Sequence, residues 1–262
     1  MFIDYSYHTH TKRCGHADGE DEEYVLEAIN KNVKVLGFTD HAFLKGYIQP
    51  TIRGNFEDLD EYISSLTYLK EKYKDKIEIL IGFEAEYIEK LVPYYKWLLE
   101  NKIDYLILGQ HVHINDEDKI TWYFKTKDNH EMVDRYCKDI IEGMKSGLFK
   151  YVAHPDLFAS GVSVWDDYAI NIAKQIIEAS IKYNIPLEYN LGGYRYPYEK
   201  LFKGMKYLKY PNEHFWDLAS TYPIKVVIGP DAHKPEQVHD EKEMSHVAHL
   251  ANKYNWDLIK RL

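Results

Sequence analysis

Histidine and carboxylate side chains follow short apolar runs throughout this 262-residue sequence. Seven such runs occur; the sixth ends in Asn190, and the other six end in His, Asp or Glu. Because residues two apart in a strand project from the same face, His8 and His10 can bind a single ion, and so can Asp231 and His233. Imidazole with a few carboxylates suits Zn, Mn or Fe. The repetition therefore predicts one polynuclear metal site at the open end of a barrel.

The apolar runs alternate with segments of helical period, which we expect at 18–32, 56–73, 89–101, 130–146, 166–183, 212–222 and 236–262. In the fifth of these, Ile170, Ala173, Ile177 and Ile181 are expected to form the buried face. The alternation has no composition break, so we predict a single domain over residues 1–262. It favours an α/β barrel, whose catalytic groups lie at the carboxyl ends of the strands. A doubly wound open sheet is the alternative, but it would not bring seven strand ends together.

Charge and composition limit the classes of protein that this chain can represent. A net charge of −9 argues against a broad nucleic-acid surface, which needs clustered Lys and Arg. The two cysteines have no paired spacing, which suits a reducing compartment. No signal peptide is visible, and no apolar stretch approaches the roughly 20 residues of a membrane span. We expect a cytoplasmic protein that binds neither membrane nor nucleic acid; its oligomeric state is unknown from the sequence.

Seven motifs occur in the order that is typical of one family: HTH, CGHADGE, FTDH, GFEAE, GQHVH, AHPD and GPDAH. Together they resemble the PHP (polymerase and histidinol phosphatase) superfamily over nearly the whole chain. The length and loop content are most similar to those of the monofunctional histidinol phosphatases. The resemblance implies the PHP fold, an α/β fold with a distorted seven-stranded (β/α) TIM-like barrel, and three divalent metal ions, either Zn, Mn or Fe.

The resemblance also implies nine metal ligands in three groups, with Glu84 bridging the first two: His8, His10, Glu84 and Asp231; Glu84, His111 and His154; His16, His41 and His233. No ligand position is missing. Cys14 is expected to be a bystander thiol. Asp40 either orients a ligand or caps the end of a strand.

The activity that the resemblance implies is metal-dependent hydrolysis of L-histidinol phosphate to L-histidinol and phosphate, a step of histidine biosynthesis. A metal-bridging hydroxide would attack phosphorus. Asp231, His233 or a metal-bound water is the candidate acid for the leaving alcohol. His113 is a candidate for the substrate pocket, for proton transfer or for structural packing. One alternative is a PHP phosphoesterase acting on another small phosphate, a phosphotyrosine peptide or a nucleic-acid end. Another is a non-catalytic, metal-binding PHP module.

Arginine usage indicates where a phosphate ester would bind. Arg13, Arg53 and Arg195 fall in loops that follow predicted strands, and guanidinium groups bind phosphate in bidentate fashion. Each of them is otherwise a solvated loop arginine. The ammonium and imidazole of the substrate would need a carboxylate and an aromatic wall, for which the candidates are Glu86, Glu117, Tyr47, Phe158 and Tyr194.

Overall fold

The computed structural model describes residues 3–49, 51–195, 200–202, 205–207, 210–254 and 256–262. The chain divides into two compact units. The first unit comprises Met1–Ala85, Tyr94–Ile107 and Gly229–Leu250, and the second comprises Glu86–Pro93, Leu108–Ile228 and Ala251–Leu262. The expectation of a single domain over 1–262 stays a prediction.

The first unit is built on a four-stranded sheet in the order β1-β2-β3-β4. These strands are Tyr5–Ser6 (β1), Val35–Phe38 (β2), Glu78–Ala85 (β3) and Tyr105–Leu108 (β4). β2 runs parallel to both β1 and β3. Every residue of β1, β2 and β4 is buried, which is the pattern of parallel strands covered on both faces.

Tyr105 holds the segment that precedes the HTH motif. Its ring crosses two glycines, since a Cβ at Gly37 would lie 2.0 Å from the Tyr105 hydroxyl and a Cβ at Gly82 would lie 2.7 Å from the ring. The hydroxyl donates to the backbone carbonyl of Tyr7 at 2.8 Å. Because Tyr7 directly precedes His8, only glycines at these two positions let Tyr105 reach and fix this strand end.

The helices that lie wholly or mainly in the first unit are Asp21–Asn30 (α1), Leu59–Lys72 (α2), Val92–Asn101 (α3) and Glu241–Tyr254 (α8). Short 3₁₀ turns, Phe56–Asp58 and Glu89–Leu91, precede α2 and α3. α1 begins with a capping box between Glu20 and Glu23, which satisfies backbone N–H groups of its first turn. Tyr62 of α2 donates its hydroxyl proton to the carbonyl of Gly82 at 2.9 Å and so fixes α2 against β3.

The second unit contains a three-stranded sheet in the order β11-β10-β7. Its strands are Leu187–Asn190 (β7), Lys225–Gly229 (β10) and Asp257–Leu258 (β11), and β10 is parallel to β11. Val152 forms isolated parallel bridges with Leu108 and Leu187. The predicted run FKYVAHPD therefore contributes bridges at one residue and no extended strand.

The helices of the second unit are His130–Ser146 (α4), Asp167–Lys182 (α5), Gly192–Arg195 (α6) and Glu213–Ala219 (α7). The bounds of α4 coincide with the prediction. Asn129, Asp166 and Asn212 each accept a backbone N–H from the first turn of α4, α5 and α7. Such caps explain why these helices begin where the sequence indicated.

The structure corrects three local predictions. The predicted alternation of strands and helices contained no hairpins, but the described residues form two antiparallel ones: Val112–Ile114 (β5) with Ile120–Trp122 (β6), and Lys200–Phe202 (β8) with Met205–Tyr207 (β9). The last helix ends at Tyr254, and β11 follows it because pairing with β10 overrides the local helical preference. Ile181 of α5 is exposed, and the buried face is rotated to follow Ala169, Ile172, Ala173, Ile176 and Ile177.

Within the described ranges, no helix combines the length and the apolar character needed to cross a membrane. The cytoplasmic location stays a prediction of the sequence.

Candidate metal centre

Backbone pairing brings the HTH and DAH motifs side by side in the first unit. Thr9 and Ala232 form an isolated parallel bridge, in which the N–H of His10 donates to the carbonyl of Ala232 at 2.8 Å and the N–H of Ala232 donates to the carbonyl of His8 at 3.0 Å. Side chains alternate along extended backbone. The residues that flank Thr9 and Ala232 therefore share one face: His8, His10, Asp231 and His233.

A second bridge adds the FTDH and GFEAE motifs to this face. His41 pairs with Glu84, and the N–H of Ala42 donates to the Glu84 carbonyl at 2.8 Å. The N–H of Thr39 donates to the carbonyl of Thr9 at 2.8 Å, which joins the second motif to the first.

Four donor atoms of these motifs converge with the spacing of a metal coordination shell. Nε2 of His8 and Nε2 of His10 lie 3.1 Å apart, and Oε2 of Glu84 lies 3.4 Å from each. Oδ1 of Asp231 lies 3.6 Å from Nε2 of His8 and 3.4 Å from Nε2 of His10. Ligands at zinc–nitrogen and zinc–oxygen distances around a tetrahedral ion are about 3.3 Å apart. The donor set therefore fits a zinc-like divalent ion.

His16, His41 and His233 lie next to this quartet. The ring centroids of His16 and His233 are 4.9 Å apart, and those of His16 and His41 are 5.5 Å apart. Nδ1 of His16 is 3.0 Å from the carbonyl of Cys14, and Nδ1 of His233 is 3.0 Å from the carbonyl of Asp231. A neutral imidazole that donates from Nδ1 keeps its Nε2 lone pair for a metal. The structure therefore brings the third predicted ligand group together.

Burial and neighbouring charge set the protonation of this centre. Burial, together with the charge of His233, lowers the pKa of His10 to about 3. Burial alone would raise the pKa of Asp231, but the neighbouring His8 and the hydrogen bond from His10 bring it well below its ordinary value. His10 is thus neutral and Asp231 ionised near neutral pH, as metal ligands must be. Asp231 also has a positive φ of 49°, a conformation that costs a non-glycine residue about 1–2 kcal/mol and that recurs at functional sites.

Asp40 supports the centre through Thr11. Its carboxylate accepts the backbone N–H of Thr11 at 2.7 Å and the Thr11 hydroxyl at 2.9 Å, and burial raises the pKa of Asp40 to about 7. This contact fixes the residue that follows His10, and both roles that the sequence left open, orientation of a ligand and capping of a strand end, stay predictions.

The two predicted phosphate-binding arginines of the first unit are bonded to protein groups. Arg13 donates from Nε and Nη2 to the Glu61 carboxylate, at 3.0 Å in both cases, and it also forms a bidentate pair with Asp21. Arg53 is buried and donates to the side chain of Gln49 at 2.8 Å and to the carbonyl of Ala42 at 2.9 Å. Phosphate binding by either arginine stays a prediction.

The second unit brings together Glu86, His111 and His154. Nδ1 of His111 lies 3.6 Å from Oε1 of Glu86, and the His111 and His154 ring centroids are 4.9 Å apart. His154 has a positive φ of 31°, and its N–H donates to Oε2 of Glu188 at 3.0 Å. Coordination of a metal shared with Glu84 stays a prediction.

His113 belongs to a different polar network. Its Nδ1 lies 3.5 Å from Oδ2 of Asp139, which also accepts the Tyr123 hydroxyl at 2.6 Å. Burial raises the pKa of Asp139. His113 and Asp139 line a cavity of about 560 Å³ together with Arg135. A catalytic role for His113 stays a prediction. Glu117 is exposed on the β5–β6 turn and Arg195 lies in α6, and substrate binding by these two residues also stays a prediction.

Sequence reasoning missed three buried polar residues that support the ligand segments. Glu188 binds the His154 backbone and also accepts the side-chain amide of Asn190 at 2.8 Å. Asp156 accepts the N–H of Asn212 at 2.5 Å and the indole N–H of Trp216 at 3.0 Å, and burial raises its pKa to about 7. Gln110 is the third of these residues, and its side chain bonds to the backbone of Tyr87. A polar residue inside the apolar run IPLEYN was the signal for Glu188.

Comparison with known proteins gives the family. The model of the PHP domain matches residues 6–191, and the chain belongs to this family. The histidinol-phosphatase of Bacillus subtilis is 22% identical over 258 residues, which cover 88% of this chain and 94% of that protein. A protein of Deinococcus radiodurans named probable histidinol-phosphatase is 27% identical over 252 residues, covering 88% of this chain and 86% of that one.

Among solved structures, the histidinol phosphate phosphatase of Lactococcus lactis, in complex with zinc, L-histidinol and phosphate, has a TM-score of 0.70 at 17% identity. The match covers 98% of this chain and 95% of that chain. The predicted resemblance to the PHP superfamily and the predicted fold class are confirmed.

Proposed function

We propose that this protein is a metal-dependent histidinol-phosphatase that hydrolyses L-histidinol phosphate to L-histidinol and phosphate. The convergence of His8, His10, Glu84 and Asp231 carries the proposal, because five of their donor–donor distances lie between 3.1 and 3.6 Å. Relatives that bear the name histidinol-phosphatase cover most of this chain, which supports the substrate.

The proposed centre holds three divalent ions. Its ligands are the nine residues that the sequence indicated: His8, His10, His16, His41, Glu84, His111, His154, Asp231 and His233. Zinc is the ion bound by the related Lactococcus lactis enzyme. The prevalence of imidazole over carboxylate also favours zinc, manganese or iron over calcium.

Bound divalent ions would supply the electrophilic stabilisation and the lowered water pKa that phosphate ester hydrolysis requires. The protein supplies preorganisation. The Thr9–Ala232 and His41–Glu84 bridges fix four ligand-bearing segments, and the Nδ1 contacts of His16 and His233 orient their rings. The buried, neutral imidazole of His10 needs no loss of a proton when an ion binds. Of the two candidate side chains, Asp231 is ionised near neutral pH, so His233 is the proposed proton donor to the leaving alcohol.

The test is phosphate release from L-histidinol phosphate, with metal content measured on the same sample. We expect a kcat/KM of at least about 10⁴ M⁻¹s⁻¹, which lies within the usual range of enzymes, and far slower turnover of p-nitrophenyl phosphate and of a phosphotyrosine peptide. Equal, slow turnover of all three would remove histidinol phosphate as the substrate. Absence of turnover in a fully metallated protein would favour the non-catalytic module.

Matched variants separate the centre from the rest of the protein. His10→Ala removes a ligand whose side chain is 1% exposed, whereas His249→Ala removes an exposed histidine of α8. We expect His10→Ala to lose bound metal and at least about 100-fold in kcat, because the ion stabilises developing charge on the phosphate. His249→Ala should keep both, and equal behaviour of the two variants would refute the assignment.

A further inference from the structure

Cys14 lies within the third group of ligands, although neither its sequence context nor its family pattern gives it a role. Its side chain is completely buried, and its Sγ is 3.9 Å from Nε2 of His16. The possible ligand atoms of Cys14, His10 and His233 all lie within 4.8 Å of one another. The thiol is thus surrounded by metal-binding groups.

The orientation of the His16 ring shows which of its two nitrogens faces the sulfur of Cys14. Nδ1 of His16 faces the Cys14 carbonyl at 3.0 Å, so Nε2 is the nitrogen left for a metal. Cys14 Sγ is near this same Nε2. For a tetrahedral zinc ion with ordinary Zn–S and Zn–N bonds, sulfur and nitrogen ligands are about 3.6 Å apart. The observed 3.9 Å is close to this separation.

His10 and His233 border this thiol. His10 is 1% exposed, and its ring centroid lies 4.4 Å from that of His233. Its Nε2 belongs to the quartet of donors around Glu84 and Asp231, so the proposed metal of the quartet lies next to the possible ligand atoms of Cys14 and His233. Buried donor atoms that cluster in this way are better accommodated beside a cation than in an apolar core.

We propose that Cys14 is a ligand of the metal held by His16 and His233, as a thiolate that has released its proton to solvent. This inference rests on the proposed metal centre. Thiolate is a soft ligand that favours zinc and cobalt over manganese. Cys14 would therefore make one position of the centre selective for zinc, while the other positions, with nitrogen and oxygen ligands only, accept either ion.

Cobalt substitution tests the bond directly, because a Co²⁺–thiolate bond gives a charge-transfer band in the near ultraviolet. Cys137 is the matched control, since it is the other cysteine, is also buried and lies on α4 in the second unit. The cobalt-loaded wild type and Cys137→Ser should show the band, and Cys14→Ser should lack it. A wild type that binds cobalt without the band would overturn the proposal.

X-ray absorption on the zinc-loaded wild type needs no variant and covers the case in which Cys14→Ser fails to fold. We expect a sulfur shell at about 2.3 Å, and its absence in a metallated protein refutes coordination by Cys14. In competition between zinc and manganese, Cys14→Ser should lower the ratio of bound zinc to manganese by about tenfold or more. A protein that takes up no metal at all would instead refute the proposed function, and this inference with it.

Discussion

Replacing Gln110 by alanine should loosen the segment that carries His111. The Gln110 side chain accepts the N–H of Tyr87 at 2.7 Å and donates to the Tyr87 carbonyl at 3.3 Å and to the Tyr123 hydroxyl at 2.9 Å. Tyr87 follows Glu86, and Gln110 precedes His111. The amide therefore joins the two segments whose side chains meet at 3.6 Å, and it does so from a position only 1% exposed.

The size of the effect follows from the bonds that are lost. Alanine at position 110 leaves the N–H and the carbonyl of Tyr87 without this partner, whereas the Tyr123 hydroxyl keeps Asp139 as its acceptor. Each buried polar group that loses its partner costs about 1–3 kcal/mol, so we expect a loss of about 2–4 kcal/mol in the free energy of unfolding. For a chain of this length, such a loss lowers Tm by on the order of 10 °C.

Activity should fall as well, because His111 and Glu86 would no longer be held in register. A displacement of about 1 Å at a catalytic group costs up to 10²-fold in rate. We expect kcat/KM for L-histidinol phosphate to fall by about 10- to 100-fold, and bound metal to fall by up to one equivalent. Tm, kcat/KM and metal content are measured on the same preparation, below the Tm of the variant.

Tyr123→Phe is the matched control. It removes one partner of Gln110 but leaves both contacts with Tyr87, so its loss of activity and metal should be clearly smaller. Gln110→Glu keeps an acceptor for the N–H of Tyr87 and should fall between the two. If Gln110→Ala keeps its metal and changes kcat/KM by less than twofold, or if Tyr123→Phe is equally impaired, Gln110 does not position His111.

Three further predictions concern stability. Burial lowers the pKa of His239 below its ordinary 6.5, so the unfolded chain binds more protons at acid pH. The stability that His239 contributes is therefore complete above about pH 6.5 and declines as the pH falls toward the lowered pKa. In denaturant titrations from pH 5 to 8, His239→Gln should flatten this decline and His249→Gln should not. Tyr105→Phe should lower the free energy of unfolding, measured in urea, by about 1–3 kcal/mol, because the buried carbonyl of Tyr7 loses its donor. Tyr68→Phe on the surface should lower it by less than about 0.5 kcal/mol. Chelation of the metal should lower Tm, and added zinc should restore it. An ion that binds only the folded state, at a free concentration of 1,000 times its Kd, stabilises that state by about 4 kcal/mol. An unchanged Tm in a verified metal-free sample would contradict the proposed centre.

Elements with a strong local signal could be predicted from the sequence. The helix over 130–146 was predicted to the residue, because an Asn cap and a Gly end enclose a clear apolar period. The hairpin of β5 and β6 and the strand β11 could not be predicted in this way. They depend on pairing with a partner strand, and short segments carry little intrinsic preference for such pairing.

The proximity of the proposed ligands in the first unit was predictable for a similar reason. Alternation along a strand places His8 with His10, and Asp231 with His233, whatever the rest of the protein does. Parallel strands then bring their carboxyl ends to one edge. Phosphate binding by Arg13 stays a prediction from its loop position. The sequence did not indicate that its guanidinium meets carboxylates from α1 and α2, which lie 8 and 48 residues further along the chain.

The residues that support the ligands escaped prediction for a chemical reason. A metal accepts few ligand types, so a ligand position is restricted to His, Asp, Glu or Cys and is recognisable in a single sequence. A supporting residue needs only an oxygen or nitrogen that reaches a backbone group. Asp156 meets this need at the N–H of Asn212, Glu188 at the N–H of His154 and Gln110 at Tyr87, with three different side chains. Their common feature is a buried bond across the fold, which appears only when distant segments are placed side by side.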